Sequence, residues 1–459
     1  MTARVFDPPP ALLTDLYELT MAAAYSALGM AGKATFSLFI RGPSPARRYF
    51  VCAGLEGVIA YLKAFRFTAS DIRYLGTMGL FRPEFLAGLG ALRFTGDVRA
   101  VPEGRLVFAD EPLLEITAPI VEAQLVETAV LNLIHGPTLI ATKAARCVSA
   151  AGGRRLVDFA LRRVAGPDAG LTAARSSYLA GFWGTSNVLA GKLYGIPVSG
   201  TMAHSFVAGF GREIDAFRAY AEVLPENTIL LVDTYDTVRG ARNAARVGRE
   251  MARRGYALRG VRLDSGDIAA LSRKVRRILA ASGLEKAAIV ASGGLDEFEI
   301  RRILRAGGDV DAFGVGTKMG VSADAPYLDL AYKLVRCEDA AVLKLSPDKA
   351  TLPGEKQVFR SLDARGRLGH DVVGLKDERF RGAEPLLRDV MKGGRLVRPL
   401  PALGAIRAAF LEEFGRLDGK YKSLSPAAPR YPVRRSRALI RLRAETRRAV
   451  LKAQTLGGR

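Results

Sequence analysis

Acidic residues are in short supply in this chain: 46 Asp and Glu stand against 68 Lys and Arg in 459 residues, giving a formal net charge of +22. Histidine and cysteine are rarer still, at three each. Cys52, Cys147 and Cys337 are widely spaced, odd in number and outside any C-x-x-C pattern. That excludes a disulfide framework and reads as three reduced, small apolar side chains. His135, His204 and His370 leave almost no material for a histidine-built zinc site. Long apolar runs are missing as well. Nothing approaches the roughly 18 consecutive apolar residues of a membrane helix, and residues 1–10 have no signal-peptide core, so a cytoplasmic protein with no membrane partner is expected. There is no Walker A sequence. Gly314, Gly316 and Gly320 have one residue too many in the second gap for a dinucleotide fingerprint.

What the chain does have is 49% hydrophobic residues, enough for a large core and two or more domains. Apolar recurrence at helical spacing predicts a helix over 12–27, and alternation around Phe36, Leu38 and Ile40 predicts a strand over 34–41. A mostly apolar helix is expected to open at Ile120, just after Pro119. After Gly152-Gly153 short apolar runs, ending at Asp158, Thr201, Asp233, Asp264, Ser292 and Gly316, alternate with helical segments. Continuous apolar strands with crossovers of this kind imply parallel β/α units, and their polar carboxyl ends are where a β/α barrel keeps its active site. The fold expected is α/β: an irregular β/α barrel with an amino-terminal mixed α/β domain. The boundaries expected are 1–150, 151–335 for the barrel, and 336–459 for a region packing back on the first domain, with turns at Ser346-Pro347-Asp348 and Leu352-Pro353-Gly354. That region ends in a basic helix starting near Ser436. Residues 430–459 hold ten Lys or Arg against Glu445 alone, a surplus that attracts polyanions or forms a solvated face.

Two glycine turns follow the last two runs, Ala291-Ser292-Gly293-Gly294 and Phe313-Gly314-Val315-Gly316-Thr317-Lys318. Glycine lets backbone N–H groups approach phosphate oxygens, and loops after late barrel strands are the usual phosphate site, although such glycines also make plain tight turns. Asp233-Thr-Tyr-Asp236 and Asp264-Ser-Gly-Asp267 suit Mg²⁺, sugar hydroxyls or helix capping. Arg262 shares a strand face with Asp264, an arrangement fitted to a substrate carboxylate or phosphate; Arg162 and Arg163 are further phosphate candidates. His204, past a strand end, is open to three readings: general base, nucleophile toward phosphorus, or hydrogen-bonded structural residue. His135, at an apolar helix end, fits the structural reading.

Read together, these segments resemble nicotinate phosphoribosyltransferases from residue 12 to at least residue 354. The resemblance is carried in order by Leu13-Thr-Asp-Leu-Tyr17-Glu-Leu-Thr-Met21, Phe159-Ala-Leu-Arg-Arg163, Gly184-Thr-Ser-Asn187, Gly200-Thr-Met-Ala-His204-Ser205, Val261-Arg-Leu-Asp-Ser-Gly-Asp267 and Phe313-Gly-Val-Gly-Thr317. It implies that nicotinate and phosphoribosyl pyrophosphate form nicotinate mononucleotide and pyrophosphate in NAD biosynthesis, with Mg²⁺ and with ATP as co-substrate. By the family's pattern His204 is the histidine that ATP phosphorylates and Asp264 lies near the ribose hydroxyls or metal. Tyr17, from the neighbouring subunit of a homodimer, and Phe182 would sandwich the pyridine, while Thr201 and Arg262 would hold its carboxylate. Gly293, Gly294, Gly314, Gly316 and Thr317, with Arg163, would bind phosphate. The nearest rival is nicotinamide phosphoribosyltransferase, but the acid it would use is absent from Tyr194-Gly195-Ile196-Pro197-Val198. Quinolinate phosphoribosyltransferase would need more cations, and a nucleic-acid-binding protein would use the basic tail directly, yet Tyr431 is that tail's only aromatic.

Overall fold

The computed structural model describes residues 10–42, 44, 46–346 and 351–456, so part of the expected turn at Ser346-Pro347-Asp348 lies outside the described residues. The chain divides into two compact units, one made of Met1–Thr142 with Tyr327–Arg459 and the other of Lys143–Pro326. No helix among the described residues is long and apolar enough to cross a membrane.

In the first unit the helix expected over 12–27 starts at Leu16 and ends at Ala27. Thr14 gives its hydroxyl to Glu18 Oε2 (2.5 Å) rather than capping the backbone. The strand Lys33–Ile40 lies inside a seven-stranded antiparallel sheet between Leu330–Cys337 and Pro112–Pro119. Beyond Pro112–Pro119 come Asp97–Ala100 and then Arg388–Lys392, so the carboxyl-terminal segment completes a sheet begun by the amino-terminal one. Phe36, Leu38 and Ile40 enter the main hydrophobic cluster, as the alternation predicts. Thr35 and Ser37, on the other face, are buried too, so this is a central strand covered on both sides rather than a half-solvated one.

The helix expected after Pro119 is in two parts, Ile120–Leu125 and Glu127–Ala151. The second contains Pro137, which has no N–H to donate to the Leu133 carbonyl one turn back. Gly54 packs against that carbonyl: its φ is +100°, and a Cβ there would come within 2.0 Å of Leu133 O. No other residue fits.

The same unit holds a buried charge network. Arg360 contacts the carboxylates of Asp371 (2.6 Å) and Glu413, and it lies 5.5 Å from the centre of the Phe108 ring. Tyr431 stacks on Phe108 and donates its hydroxyl to Asp371 (3.1 Å). Burial and the neighbouring Asp371 hold the Glu111 carboxyl well above the usual carboxylate range.

In the second unit six parallel strands are hydrogen-bonded in the order Gly184–Thr185, Arg155–Asp158, Ala312–Val315, Ala288–Ala291, Gly260–Leu263, Ile229–Leu231. Helices such as Thr237–Arg253, Ile268–Ala280 and Glu297–Arg305 connect them, which is the β/α repetition read from the sequence. No pairing joins Gly184–Thr185 to Ile229–Leu231 among the described residues. One expected strand is corrected. The run 196–201 forms only an isolated parallel bridge, Val198 to Thr185, because Pro197 brings no backbone donor to a ladder. The strand Gly184–Thr185, which the sequence reading did not predict, lies between that run and Arg155–Asp158.

Replacing Arg360 with Ala would leave Asp371 and Glu413 buried without their cation. The expected loss is about 3–5 kcal/mol of stability, read as a lowered urea midpoint of the first unit in the full-length protein; an unchanged midpoint would show that the network is dispensable.

Candidate active site

A parallel sheet brings all its carboxyl ends to one edge, and here Ser186, Asp264 and Ser292 directly follow three of those ends. Asp233 follows Ile229–Leu231 by two positions; its Oδ2 accepts from the Asp264 N–H (2.8 Å) and the Ser265 hydroxyl (2.7 Å). Its other oxygen, Oδ1, is buried with no hydrogen-bond partner. Asp264, next after Gly260–Leu263, accepts at Oδ1 from the Ser292 hydroxyl (2.5 Å), which follows Ala288–Ala291. Three neighbouring strand ends are therefore tied by a chain of acids and hydroxyls.

The guanidinium of Arg262 lies beside this chain. Nη1 donates to the Thr201 hydroxyl (2.5 Å), whereas Nε is buried and unpartnered. Burial weakens its hold on a proton, opposed by Asp264 and Asp233. A desolvated guanidinium with donors to spare is a receptor for a planar anion, since carboxylate geometry matches its fork. His204 opens the five-residue helix His204–Ala208, with an exposed ring whose Nδ1 is 3.1 Å from Thr234 Oγ1. Nε2 is the ring nitrogen left over.

The expected phosphate glycines divide by cause. A Cβ on Gly293, at φ +91°, would come within 1.9 Å of Asp264 O, and one on Gly314 within 2.4 Å of the Phe159 ring. Packing alone demands glycine at both. Gly294, at φ +64°, faces open space, whereas a Cβ on Gly316, which precedes the partly exposed Thr317, would come within 2.9 Å of Phe159 O. Arg162 and Arg163 lie in the exposed turn Leu161–Arg163.

The remaining expected residues are placed differently. Phe182 is fully buried, directly before the exposed Trp183, whose ring carries Arg155 at 5.2 Å. Tyr17 belongs to the first unit, on Leu16–Ala27; burial and then Glu127 raise the pKa of its hydroxyl. Asp236 and Asp267, the second acids of the two Asp motifs, cap the helices that follow them. His135 accepts from the Leu328 N–H (3.0 Å), and burial lowers its proton affinity, which is the structural role read from its surroundings. No group of three or more His, Cys, Asp or Glu forms a metal cage among the described residues.

Sequence reasoning passed over the partners. Thr234 was read only as part of the Asp233–Asp236 motif and Ser292 only as a strand end and turn residue, so neither hydrogen bond was visible in the sequence. Asp158 was seen only as a strand end. It is wholly buried, accepts from the Ala160 N–H (2.8 Å) and the Thr185 hydroxyl (2.7 Å), and burial raises its pKa to about 6. Thr185 in turn accepts from the Asn187 N–H (3.0 Å), so Asp158 holds the Gly184-Thr-Ser-Asn187 loop in place.

Comparison with known proteins fits this arrangement. The amino-terminal-domain model of nicotinate phosphoribosyltransferase matches residues 12–135, and the family's second model matches 154–352. The chain belongs to the nicotinate phosphoribosyltransferase family. A nicotinate phosphoribosyltransferase of Mycobacterium tuberculosis is 48% identical over 440 residues, covering 96% of this chain and 94% of the relative. The human member is 35% identical over 500 residues, covering 91% and 93%. A crystal structure of human nicotinic acid phosphoribosyltransferase superposes with a TM-score of 0.84 at 33% identity, over 94% of this chain and 99% of that one. A nicotinate-nucleotide pyrophosphorylase from Pyrococcus furiosus gives 0.73 at 27% identity, over 88% and 95%. In this phosphoribosyltransferase the matched regions include every motif that carried the resemblance.

The raised carboxyl of Asp158 makes a pH test. Its folded pKa of about 6 lies above its ordinary 3.8, so the stability it contributes is fully present below about pH 4 and is lost as pH rises through 6. The difference between the two values corresponds to about 3 kcal/mol. Urea unfolding of the second unit between pH 4 and 7 should show this decline, and Asp158→Asn should flatten it. An equally steep decline in the variant would assign it to other groups.

Proposed function

We propose that this enzyme joins nicotinate to phosphoribosyl pyrophosphate, giving nicotinate mononucleotide and pyrophosphate for NAD salvage, and couples the reaction to ATP hydrolysis through His204. The observation that carries the reading is Arg262: a desolvated guanidinium with an unpartnered Nε, steadied by the Thr201 hydroxyl at a strand-end edge. It suits the nicotinate carboxylate. Nicotinamide has no such anion, and the segment Tyr194-Gly195-Ile196-Pro197-Val198 contains no acid to receive an amide N–H.

In this reading Asp264, steadied by Ser292, and the neighbouring Asp233 receive the ribose hydroxyls. Gly294, Gly316, Thr317 and Arg163 bind phosphate oxygens, with Gly293 and Gly314 shaping the turns that present them. The pyridine nitrogen attacks the anomeric carbon as the pyrophosphate bond breaks; that nitrogen has no proton to lose, so no general base is needed. Positioning of the two reactants supplies most of the acceleration. The orphaned Asp233 Oδ1 suits a Mg²⁺ that arrives with the pyrophosphate and keeps most of its ligands as water and phosphate oxygens. When bound, the ion would neutralise charge on the leaving group.

At His204, a proton on Nδ1 donated to Thr234 Oγ1 leaves the Nε2 lone pair free. That lone pair attacks the terminal phosphorus of ATP, ADP departs, and water later returns the phosphoryl group as phosphate. We take the open six-strand ladder as an irregular β/α barrel, and the working form as a homodimer in which Tyr17 of one subunit faces Phe182 of the other across the pyridine.

The test is product formation from nicotinate or nicotinamide with phosphoribosyl pyrophosphate and Mg²⁺, with and without ATP. Nicotinate alone should turn over, and His204→Ala should keep basal turnover while losing ATP stimulation. Arg262→Gln should lower kcat/KM for nicotinate by roughly 30- to 3,000-fold, the range for truncating one partner of a buried charge pair. Equal use of nicotinamide, or stimulation that survives in His204→Ala, would refute the assignment.

A further inference from the structure

The first unit contains a cavity that the proposed reaction does not use. On Lys33–Ile40 the odd-numbered side chains leave the main core, and Ser37 and Phe39 instead line a cavity of about 50 Å³. The buried Lys356 and the exposed Arg435 and Arg443 line it as well. Ser37 is completely buried, and its hydroxyl has no hydrogen-bond partner. Lys356 is satisfied by the Leu352 and Gly354 carbonyls and by Glu115, so it contributes fixed charge rather than a free donor. Neither Arg435 nor Arg443 has an acidic partner among the described residues. The one acid in the lining, Asp110, has Oδ1 occupied by the Gly42 N–H (3.0 Å).

A second, larger hollow of about 480 Å³ shares Thr351 and Arg443 with the first. Leu343, Leu345 and Ile440 give it an aliphatic wall, while Lys344 and Arg447 keep it cationic. Arg443 and Arg447 are one turn apart on the helix Arg437–Leu456, so the basic tail left unexplained by the sequence lines both spaces.

We propose that this is a second anion site, which takes a phosphoryl group between the Ser37 hydroxyl and the Arg435 and Arg443 guanidinia. Phosphate oxygens accept from all three donors, and the arginine forks match their geometry. An inorganic phosphate would occupy the inner cavity alone. A phosphate monoester would also lay its apolar body along Leu343, Leu345 and Ile440. The site stands apart from the catalytic reading, because all of its residues belong to the first unit and none has a role in the chemistry above.

Phenylglyoxal modification of the intact protein, mapped arginine by arginine by mass spectrometry, reads this site locally. Inorganic phosphate and phenyl phosphate should each protect Arg435 and Arg443, whereas chloride at equal ionic strength should not. Stronger protection by phenyl phosphate would point to a monoester, and equal protection to the free ion. Ser37→Ala deletes an oxygen that nothing else bonds, so the fold should survive while half-protection needs at least tenfold more phosphate. In Arg435→Gln, protection of Arg443 should weaken by a similar factor. Protection that chloride reproduces, that both variants retain, or that only an oligonucleotide confers would overturn the proposal.

Discussion

The catalytic edge depends on a contact with room for nothing larger than hydrogen. Gly293 lies so close to the Asp264 carbonyl that a side chain would come within 1.9 Å of it, and its φ of +91° is one that other residues resist. Because the turn after Ala288–Ala291 closes there, Ser292 lies directly over the end of Gly260–Leu263. Its N–H meets the Leu263 carbonyl (2.8 Å) and its hydroxyl meets the Asp264 carboxylate. Asp264 is thereby fixed, and through its N–H it fixes Asp233. A glycine read from the sequence as a place for phosphate to approach is also the joint that aligns two strand ends. Gly294, one residue further, keeps the open face.

That alignment explains the electrostatics of Arg262. Burial opposes its charge, and Asp233 and Asp264 support it without being close enough to form an ion pair. A direct salt bridge would satisfy the guanidinium and leave it little to offer a ligand. Here one nitrogen is spent on Thr201 and Nε is spent on nothing. The site therefore carries an unmet demand for an anion, which fits a substrate whose carboxylate fixes its orientation.

Legibility in the sequence followed the range of each interaction. The parallel strands could be read because each is a short apolar run ending in a polar residue, a pattern carried within a few positions. The helix caps Asp236 and Asp267 were open to that reading for the same reason. The pair Asp158 and Thr185 was hidden: the partners are 27 residues apart, and neither alone departs from ordinary strand-end chemistry. So was the return of Arg388–Lys392 to Asp97–Ala100, two short, mixed-polarity strands whose pairing no local periodicity announces. The failed strand at 196–201 shows the opposite error, in which an apolar run was believed although Pro197 could not join a ladder.

The scarcity of acids also bears on how anions reach the protein. Among the described residues twelve of the buried groups are Asp or Glu and only six are Lys or Arg. The acids that the chain does have are thus drawn disproportionately inward, as with Glu111, Asp371 and Glu413 around Arg360. The surface is left more basic than the net +22 suggests. Beyond a Debye length of about 8 Å at physiological salt such charge is screened, so it cannot hold a ligand at a distance. It can bias approach, because a field summed over a surface raises the encounter rate of oppositely charged molecules and weakens steeply with ionic strength. For substrates that are all anions, buried acids such as Asp371 and Glu413 act twice: they satisfy an interior cation, Arg360, and by leaving the surface they uncover its attraction.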